Sequence, residues 1–148
     1  MRSRGFTLIE LVVTMVILAI VAAIAAPNFN RMIESWRVRQ ASETLSSTLY
    51  YARSEAIKRG GNVAVKFLDS GGSSGWEVVC VNNACGTDDT VLQQYVTPAG
   101  LNIGASAIVF NRWGLVDGGS SFSVMAGSSI KNVCLGAAGR VHISGDPC

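Results

Sequence analysis

An uninterrupted apolar stretch dominates the start of the chain. After the basic tetrapeptide MRSR and a glycine, residues 6–26 contain one charged side chain, Glu10, and residues 11–26 contain none. As a helix this stretch would extend about 31 Å, close to the thickness of a bilayer core. The pattern therefore predicts a transmembrane or filament-core helix over residues 6–27.

A second, amphipathic helical pattern follows Pro27. Proline removes one helical hydrogen bond and disfavours helical geometry at the residue before it, so a kink is expected at Pro27. Residues 28–61 form the amphipathic part, and Gly60-Gly61 is a strong stop signal. One long helix is thus predicted from about Phe6 to Arg59. Its apolar face is predicted to contain Phe29, Ile33, Trp36, Ala41, Leu45, Leu49, Ala52 and Ala56.

After Gly61 the pattern changes to short β-prone runs separated by turn residues. The runs recur about every ten residues, which is typical of antiparallel sheets. A long helix followed by sheets is an α+β architecture, and residues 62–148 are predicted to form its β-rich head. The predicted strands are 62–68, 76–81, 90–96, 107–110, 122–125, 130–135 and 140–143.

The head is mildly acidic although the whole chain has a formal net charge of +2. Residues 62–148 hold four basic and six acidic residues, which argues against a broad nucleic-acid-binding surface there. All four cysteines, Cys80, Cys85, Cys134 and Cys148, lie in this part. Their even number indicates two disulfides formed in an oxidising compartment, and neither pair has zinc-ligand spacing. Proximity favours the pairs 80–85 and 134–148 among three possible connectivities.

Glu10 distinguishes three interpretations of the N-terminal segment: a cleaved secretory signal, a plain membrane anchor, or a segment retained after cleavage at Gly5. A carboxylate inside an apolar span costs roughly 3 kcal/mol and benefits neither of the first two. Cleavage after Gly5 would give Phe6 a free α-amino group, which is cationic below a pKa of about 8. In an assembly of packed helices, Glu10 of one subunit could neutralise this amine on its neighbour and so set the register.

Residues 5–11, GFTLIEL, resemble the class III signal of type IV prepilins and type II secretion pseudopilins. The resemblance implies that residues 1–5 are a leader peptide, that a prepilin peptidase cleaves after Gly5 and that Phe6 is N-methylated. It also implies the assembly role of Phe6 and Glu10, and a bend at Pro27. The subunit would cross the inner membrane once with its head in the periplasm, and would then move to the tip of a pilus or pseudopilus.

Motifs in the rest of the chain resemble the GspH/FimT branch, which contains H-type pseudopilins and related minor pilins. They are TLYYARSEAIKRG at 48–60, NRWG at 111–114 and CLGAAGRVHI at 134–143. The resemblance implies a type IV pilin-like head of two antiparallel sheets under the helix. It implies a minor pilin whose tip complex nucleates pilus assembly, supporting pilus biogenesis and adhesion or twitching. Its partners would be other pilins or pseudopilins and the inner-membrane assembly platform; an H-type minor pseudopilin of type II secretion is the alternative.

The sequence predicts no enzymatic site, cofactor or metal site. Residues 71–75 match G-x-S-x-G, but they lie in a predicted hairpin loop, whereas a nucleophile elbow needs a strand before it and a helix after it. The chain is predicted to be a substrate of the prepilin peptidase and N-methyltransferase.

A further alternative is a DNA-binding pilin for natural transformation. FimT-like DNA-binding pilins use a C-terminal G-R-x-R motif, and residues 139–142 read GRVH, with His142 in place of the second arginine. Arg140 and His142 would face the same side of a strand. Because histidine is mostly uncharged at neutral pH, the pair would be a weak phosphate clamp.

Overall fold

The computed structural model describes residues 6–70, 73–83, 85–86, 90–104 and 106–148. The chain divides into two compact units, one ending at Ile33 and the other beginning at Glu34. A single helix, α1 (Leu8–Arg59), contributes to both units, and the eight strands belong to the second.

The C-terminal end of α1 lies at the predicted position, and its geometry explains why two glycines follow. Gly60 has φ of +64°, a left-handed conformation that glycine adopts without a steric penalty. Its N–H donates to the carbonyl of Ile57, and the N–H of Gly61 donates to the carbonyl of Ala56, each over 3.2 Å. These two bonds form a Schellman motif, which satisfies carbonyl groups that the end of the helix would otherwise leave free.

The head contains two four-stranded antiparallel sheets. The strands are β1 (Asn62–Ser70), β2 (Ser73–Val81), β3 (Val91–Val96), β4 (Asn102–Gly104), β5 (Ile108–Phe110), β6 (Ser120–Ala126), β7 (Ser129–Leu135) and β8 (Val141–Ser144). Their order is β3-β2-β1-β5 in the first sheet and β4-β6-β7-β8 in the second. Seven of these strands overlap the predicted ones, and β4 was not predicted.

One hydrophobic core joins the helix to both sheets. The indole Nε1 of Trp76 on β2 donates a hydrogen bond of 3.1 Å to Oγ1 of Thr48 on α1. The rings of Phe67 on β1 and Phe122 on β6 lie 5.4 Å apart and link the two sheets. The helix contributes six fully buried apolar residues to this core: Val38, Ala41, Leu45, Leu49, Ala52 and Ala56.

The predicted apolar face of α1 is correct from Ala41 onward and wrong before it. Within the second unit, Trp36 is 68% exposed whereas Val38 is 1% exposed. Phe29 and Ile33, in the first unit, are exposed as well. The reason is helical geometry, since the five-residue step from Trp36 to Ala41 rotates by about 140° around the axis. Trp36 therefore does not share a face with the residues that pack on the head.

Candidate functional site

The N-terminal end of α1 is closed by reciprocal hydrogen bonds between Thr7 and Glu10. The backbone N–H of Glu10 donates to Oγ1 of Thr7 over 3.3 Å. The backbone N–H of Thr7 donates to Oε2 of Glu10 over 3.4 Å. This arrangement is a capping box, in which a threonine and a glutamate three positions later each satisfy a free N–H group. Glu10 therefore has partners within its own chain.

The apolar segment that begins at Phe6 is uncovered in the single chain. Gly5, the predicted cleavage position, lies outside the described residues, and Phe6 after it is 84% exposed. Surface of this apolar character is unfavourable in water, so the segment needs cover from lipid or from other helices. The exposed large side chains that follow are Leu8, Ile9, Leu11, Val12, Val13, Met15, Val16, Ile17, Leu18, Ile20, Val21 and Ile24.

Within the described residues, no single helix is both long enough and apolar enough to cross a membrane. The helical segments Leu8–Ile24 and Phe29–Arg59 reach that length and apolar character only together, as a bent pair. The kink at Pro27 stays a prediction.

Arg53 on α1 lies against two turns of the head. Its Nη1 donates a hydrogen bond of 3.0 Å to the carbonyl oxygen of Gly139. A Cβ atom added at Gly114 would lie 3.0 Å from Cγ of Arg53, and one added at Gly139 would lie 3.0 Å from Nε of the same side chain. Both glycines have positive φ, +70° and +71°. Glycine is favoured at both positions because of this conformation, and an added Cβ would also meet Cδ1 of Ile57 at position 114 and the Gly114 carbonyl oxygen at position 139.

The first of these turns, residues 111–114, is fixed by the side chain of Asn111. Its Oδ1 accepts hydrogen bonds from the backbone N–H of Trp113 over 2.9 Å and of Leu115 over 3.1 Å. The N–H of Gly114 donates to the Asn111 carbonyl over 2.8 Å. An asparagine that bonds the backbone just after it stabilises a turn without help from regular secondary structure.

Tyr50 connects α1 to the first residue of β8. Its hydroxyl donates to the carbonyl of Val141 over 3.1 Å and accepts from the Val141 N–H over 3.4 Å. Together with Arg53, which lies one turn later on the same helix, Tyr50 holds the second turn and the start of β8 against α1. The three motifs that resemble the GspH/FimT branch therefore meet in one place.

Arg140 and His142, the predicted DNA-binding pair, are both exposed, but Arg140 lies in the turn before β8 and not in the strand. Its carbonyl accepts a hydrogen bond of 2.9 Å from the N–H of Gly136. His142 lines an open groove that also contains Ser120 and Cys148. The alternation expected of one strand therefore does not apply to this pair.

Glu55 is a buried carboxylate on the head-facing side of α1. Its Oε2 accepts a hydrogen bond of 2.7 Å from Nε of Arg59, and its Oε1 accepts one of 3.3 Å from Nζ of Lys58. The hydrogen bond from Arg59 lowers the pKa of Glu55 from its ordinary value, although burial acts in the opposite direction. The carboxylate is therefore charged and paired at neutral pH.

The head contains two disulfides. Cys80 and Cys85 are joined at the end of β2 with a Cα–Cα distance of 5.9 Å. Cys134 and Cys148 are joined with a Cα–Cα distance of 5.6 Å, which ties the last residue of the chain to β7. In the described part of the chain, no cluster of three or more histidine, cysteine, aspartate or glutamate side chains has the arrangement of a metal site.

Sequence reasoning missed two features of these sites. The capping box was visible in the spacing of Thr7 and Glu10, a T-x-x-E pattern directly before an apolar run. The contact of Tyr50 with Val141 left no local signal, because its two partners are 91 positions apart.

Comparison with known families gives two matches. The family described as "Type II transport protein GspH" matches residues 41–146. The "Prokaryotic N-terminal methylation motif" matches residues 1–26. The first match covers the last third of α1 and nearly all of the head, and the second covers the apolar segment with the five residues before it. No curated protein matches the chain.

Among solved structures, the chain is similar to the type IV minor pilin FimU of Pseudomonas aeruginosa in two crystal forms. In the first, the TM-score is 0.59 with 20% identity over 72% of this chain and 87% of the other. In the second, the TM-score is 0.57 with 19% identity over 72% of this chain and 91% of the other. At this level of identity the similarity concerns the fold, a long helix packed on antiparallel sheets.

Proposed function

Since the chain belongs to the GspH family of type IV pilin-like proteins, we propose that it is a minor pilin that joins the tip complex of a type IV pilus. In this role it helps to nucleate the filament, and it supports pilus biogenesis and any adhesion or twitching that the pilus performs. The members of the family are structural pilin subunits, and the methylation motif at residues 1–26 marks the chain as a prepilin. In this proposal the chain is a substrate of processing enzymes, and its own role is structural.

The observation that carries the proposal is the uncovered apolar segment from Phe6 to Ile24, attached to a head with its own core. A head that is already packed gains nothing from this segment as a single chain. Lipid covers it while the subunit waits in the inner membrane, with the head in the periplasm. Neighbouring pilin helices cover it once the subunit leaves the bilayer, and the bend proposed at Pro27 would help the helix to fit among them.

Cleavage after Gly5 creates the charged N-terminus through which one subunit contacts the next. Removal of residues 1–5 leaves a charged amine on Phe6, which is methylated. The capping box gives Glu10 hydrogen-bond partners before assembly, at 3.3–3.5 Å. A charged amine is a stronger donor than a neutral N–H, so the Phe6 amine of a neighbouring subunit can replace Thr7 as the partner of Glu10. The exchange places one subunit in register with the next.

The partners of the subunit follow from this sequence of events. The prepilin peptidase acts on Gly5 and Phe6, the inner-membrane assembly platform moves the subunit out of the bilayer, and other pilins receive it. A minor pseudopilin of type II secretion is the alternative. The apolar helix, the capping box and the head would serve a pseudopilus in the same way. DNA capture has less support, since Arg140 lies before β8 whereas His142 lies within it, and the head has more acidic than basic residues.

Substitution of Glu10 tests this proposal. Glu10→Ala should leave the head folded and disulfide-bonded in the membrane but reduce recovery of the subunit in sheared filaments by about ten-fold or more, since it removes one partner of a buried charge pair. Thr14→Ala is the matched control, because Thr14 is exposed on the same helix and its hydroxyl bonds only the carbonyl of Leu11. Undiminished incorporation of Glu10→Ala would contradict the proposed role of Glu10. Co-purification with pilus or secretion subunits separates the two systems.

A further inference from the structure

Two turns of the head lie together beside α1. The turns are residues 111–114 and residues 136–140. They touch, because a Cβ atom added at Gly139 would lie 2.6 Å from the carbonyl oxygen of Gly114. Arg53 lies against both glycines. Two segments that are distant in sequence are therefore held side by side.

Both turns have fixed backbones. In the first, Asn111 accepts from two backbone N–H groups through its side chain and from Gly114 through its carbonyl. In the second, the N–H of Gly139 donates to the carbonyl of Gly136 over 2.8 Å, and the N–H of Gly136 donates to the carbonyl of Arg140 over 2.9 Å. A surface that is already ordered loses little conformational entropy when a partner binds.

The side chains on these turns are aromatic and cationic. Trp113 is 72% exposed, and Arg112 and Arg140, which belong to the same two turns, are exposed as well. Ile57 of α1, which is 51% exposed, borders the first turn, because its Cδ1 would lie 2.7 Å from a Cβ atom at Gly114. We call these four residues, Ile57, Arg112, Trp113 and Arg140, the double-turn surface.

The fold itself does not account for these side chains. Within the described residues, neither Arg112 nor Arg140 has an ion pair. The indole of Trp113 packs into no core, and the turn is stabilised by Asn111 and Gly114, so it needs no tryptophan. An exposed tryptophan on turns that also carry two exposed arginines is the composition of a binding hot spot, since tryptophan and arginine are among the residues enriched there.

We propose that the double-turn surface docks the head of a neighbouring pilin subunit through an acidic patch that surrounds an apolar pocket. Trp113 fills the pocket, Ile57 extends the apolar contact, and Arg112 and Arg140 pair with carboxylates at its rim. The proposal rests on the function given above, because it takes the partner to be another subunit of the same filament.

The charge of the head favours a protein partner over a nucleic acid. Residues 62–148 hold four basic and six acidic residues, so the field around the head does not attract a polyanion from a distance. Two unpaired arginines match two carboxylates at a rim, whereas a groove for a nucleic-acid strand follows the backbone with a series of cations.

Site-specific photo-crosslinking in cells tests the proposal on the full chain. A benzophenone amino acid at position 113 should give a product that contains a second pilin subunit, identified by mass spectrometry. The same probe at position 91 is the control, because Val91 is exposed on β3, which lies at the opposite edge of its sheet from the strand that leads into the first turn. The product should fall by about ten-fold when Arg112→Glu and Arg140→Glu are added, and reversal of the partner's carboxylates to lysine should restore it.

The possible failures can be told apart. If the wild-type chain enters filaments but position 113 gives no subunit product, the docking proposal is wrong and the proposed function stands. If the wild-type chain never enters filaments, the proposed function itself is wrong. Binding of a fluorescent single-stranded oligonucleotide by the detergent-solubilised chain, lost in Trp113→Ala, would also overturn the docking proposal and assign the surface to nucleic acid.

Discussion

Nη1 of Arg53 donates a hydrogen bond of 3.0 Å to the carbonyl oxygen of Gly139, across 86 positions of the chain. This bond joins α1 to the turn before the last strand. The same side chain also packs against the turn at Gly114, where an added Cβ atom would lie 3.0 Å from its Cγ. A single arginine thus fixes how two surface turns lie against α1.

Arg53→Met should destabilise the head by about 2 kcal/mol, because the variant keeps most of the apolar stem but loses a hydrogen bond from a charged donor. Urea unfolding of the detergent-solubilised chain, followed by near-ultraviolet circular dichroism, measures this loss. Arg37→Met is the matched control, since Arg37 is exposed on the same helix, and it should change the free energy of unfolding by less than about 0.5 kcal/mol. Equal effects of the two substitutions would contradict the role of Arg53.

Gly139→Ala should cost about 2–4 kcal/mol. The new Cβ atom meets the Gly114 carbonyl oxygen at 2.6 Å, and alanine is also strained at the φ of +71°. Gly118→Ala isolates the second effect, because Gly118 has φ of +83° but nothing within 4 Å of an added Cβ. It should cost about 1 kcal/mol in the same unfolding experiment. If the two variants are equally stable, the turns are not in tight contact.

The ion pair of Glu55 should make the stability of the head depend on pH. Because Arg59 lowers the pKa of Glu55 in the folded state, the stabilisation is fully present above the ordinary glutamate pKa of about 4.3. It is lost as the pH falls from there through the lower pKa of the folded state. The difference in unfolding free energy between wild type and Glu55→Gln, about 1 kcal/mol at neutral pH, should therefore shrink over this range.

Glu43→Gln is the control for this pH dependence. Glu43 pairs with Arg39 over 3.0 Å at the same four-residue separation, but both side chains are more than half exposed. A solvated pair contributes little, so this variant should follow the wild type at every pH. A loss of stability in Glu43→Gln as large as in Glu55→Gln would show that burial of Glu55 has no part in the effect.

Local patterns in the sequence predicted most of the elements. The change of period at Gly61 marked the end of α1, and the β-prone run from Asn62 marked β1. The strand β4 was not predicted because three residues ending in Gly104 have no periodicity, and their pairing with β6 is a tertiary contact. The buried face of α1 was misassigned at Trp36, where the interval to the next apolar position is five residues.

The candidate sites show the same difference between features that local sequence predicts and contacts that only the tertiary structure shows. The capping box of Thr7 and Glu10 could have been predicted, because it depends on spacing within one helical turn. The meeting of Arg53 with Gly114 and Gly139 could not, because local sequence carries no information on which distant turns lie together. The resemblance identified each of the three motifs separately, and their contact is visible only in the structure.

Mass spectrometry of the mature N-terminus tests the central claim most directly. The chain purified from membranes should begin at Phe6 and carry one additional methyl group on its α-amine, and Gly5→Leu should leave residues 1–5 in place. A mature chain that begins at any other residue, or that keeps its leader in a strain with an active prepilin peptidase, would contradict the assignment of this protein as a pilin subunit.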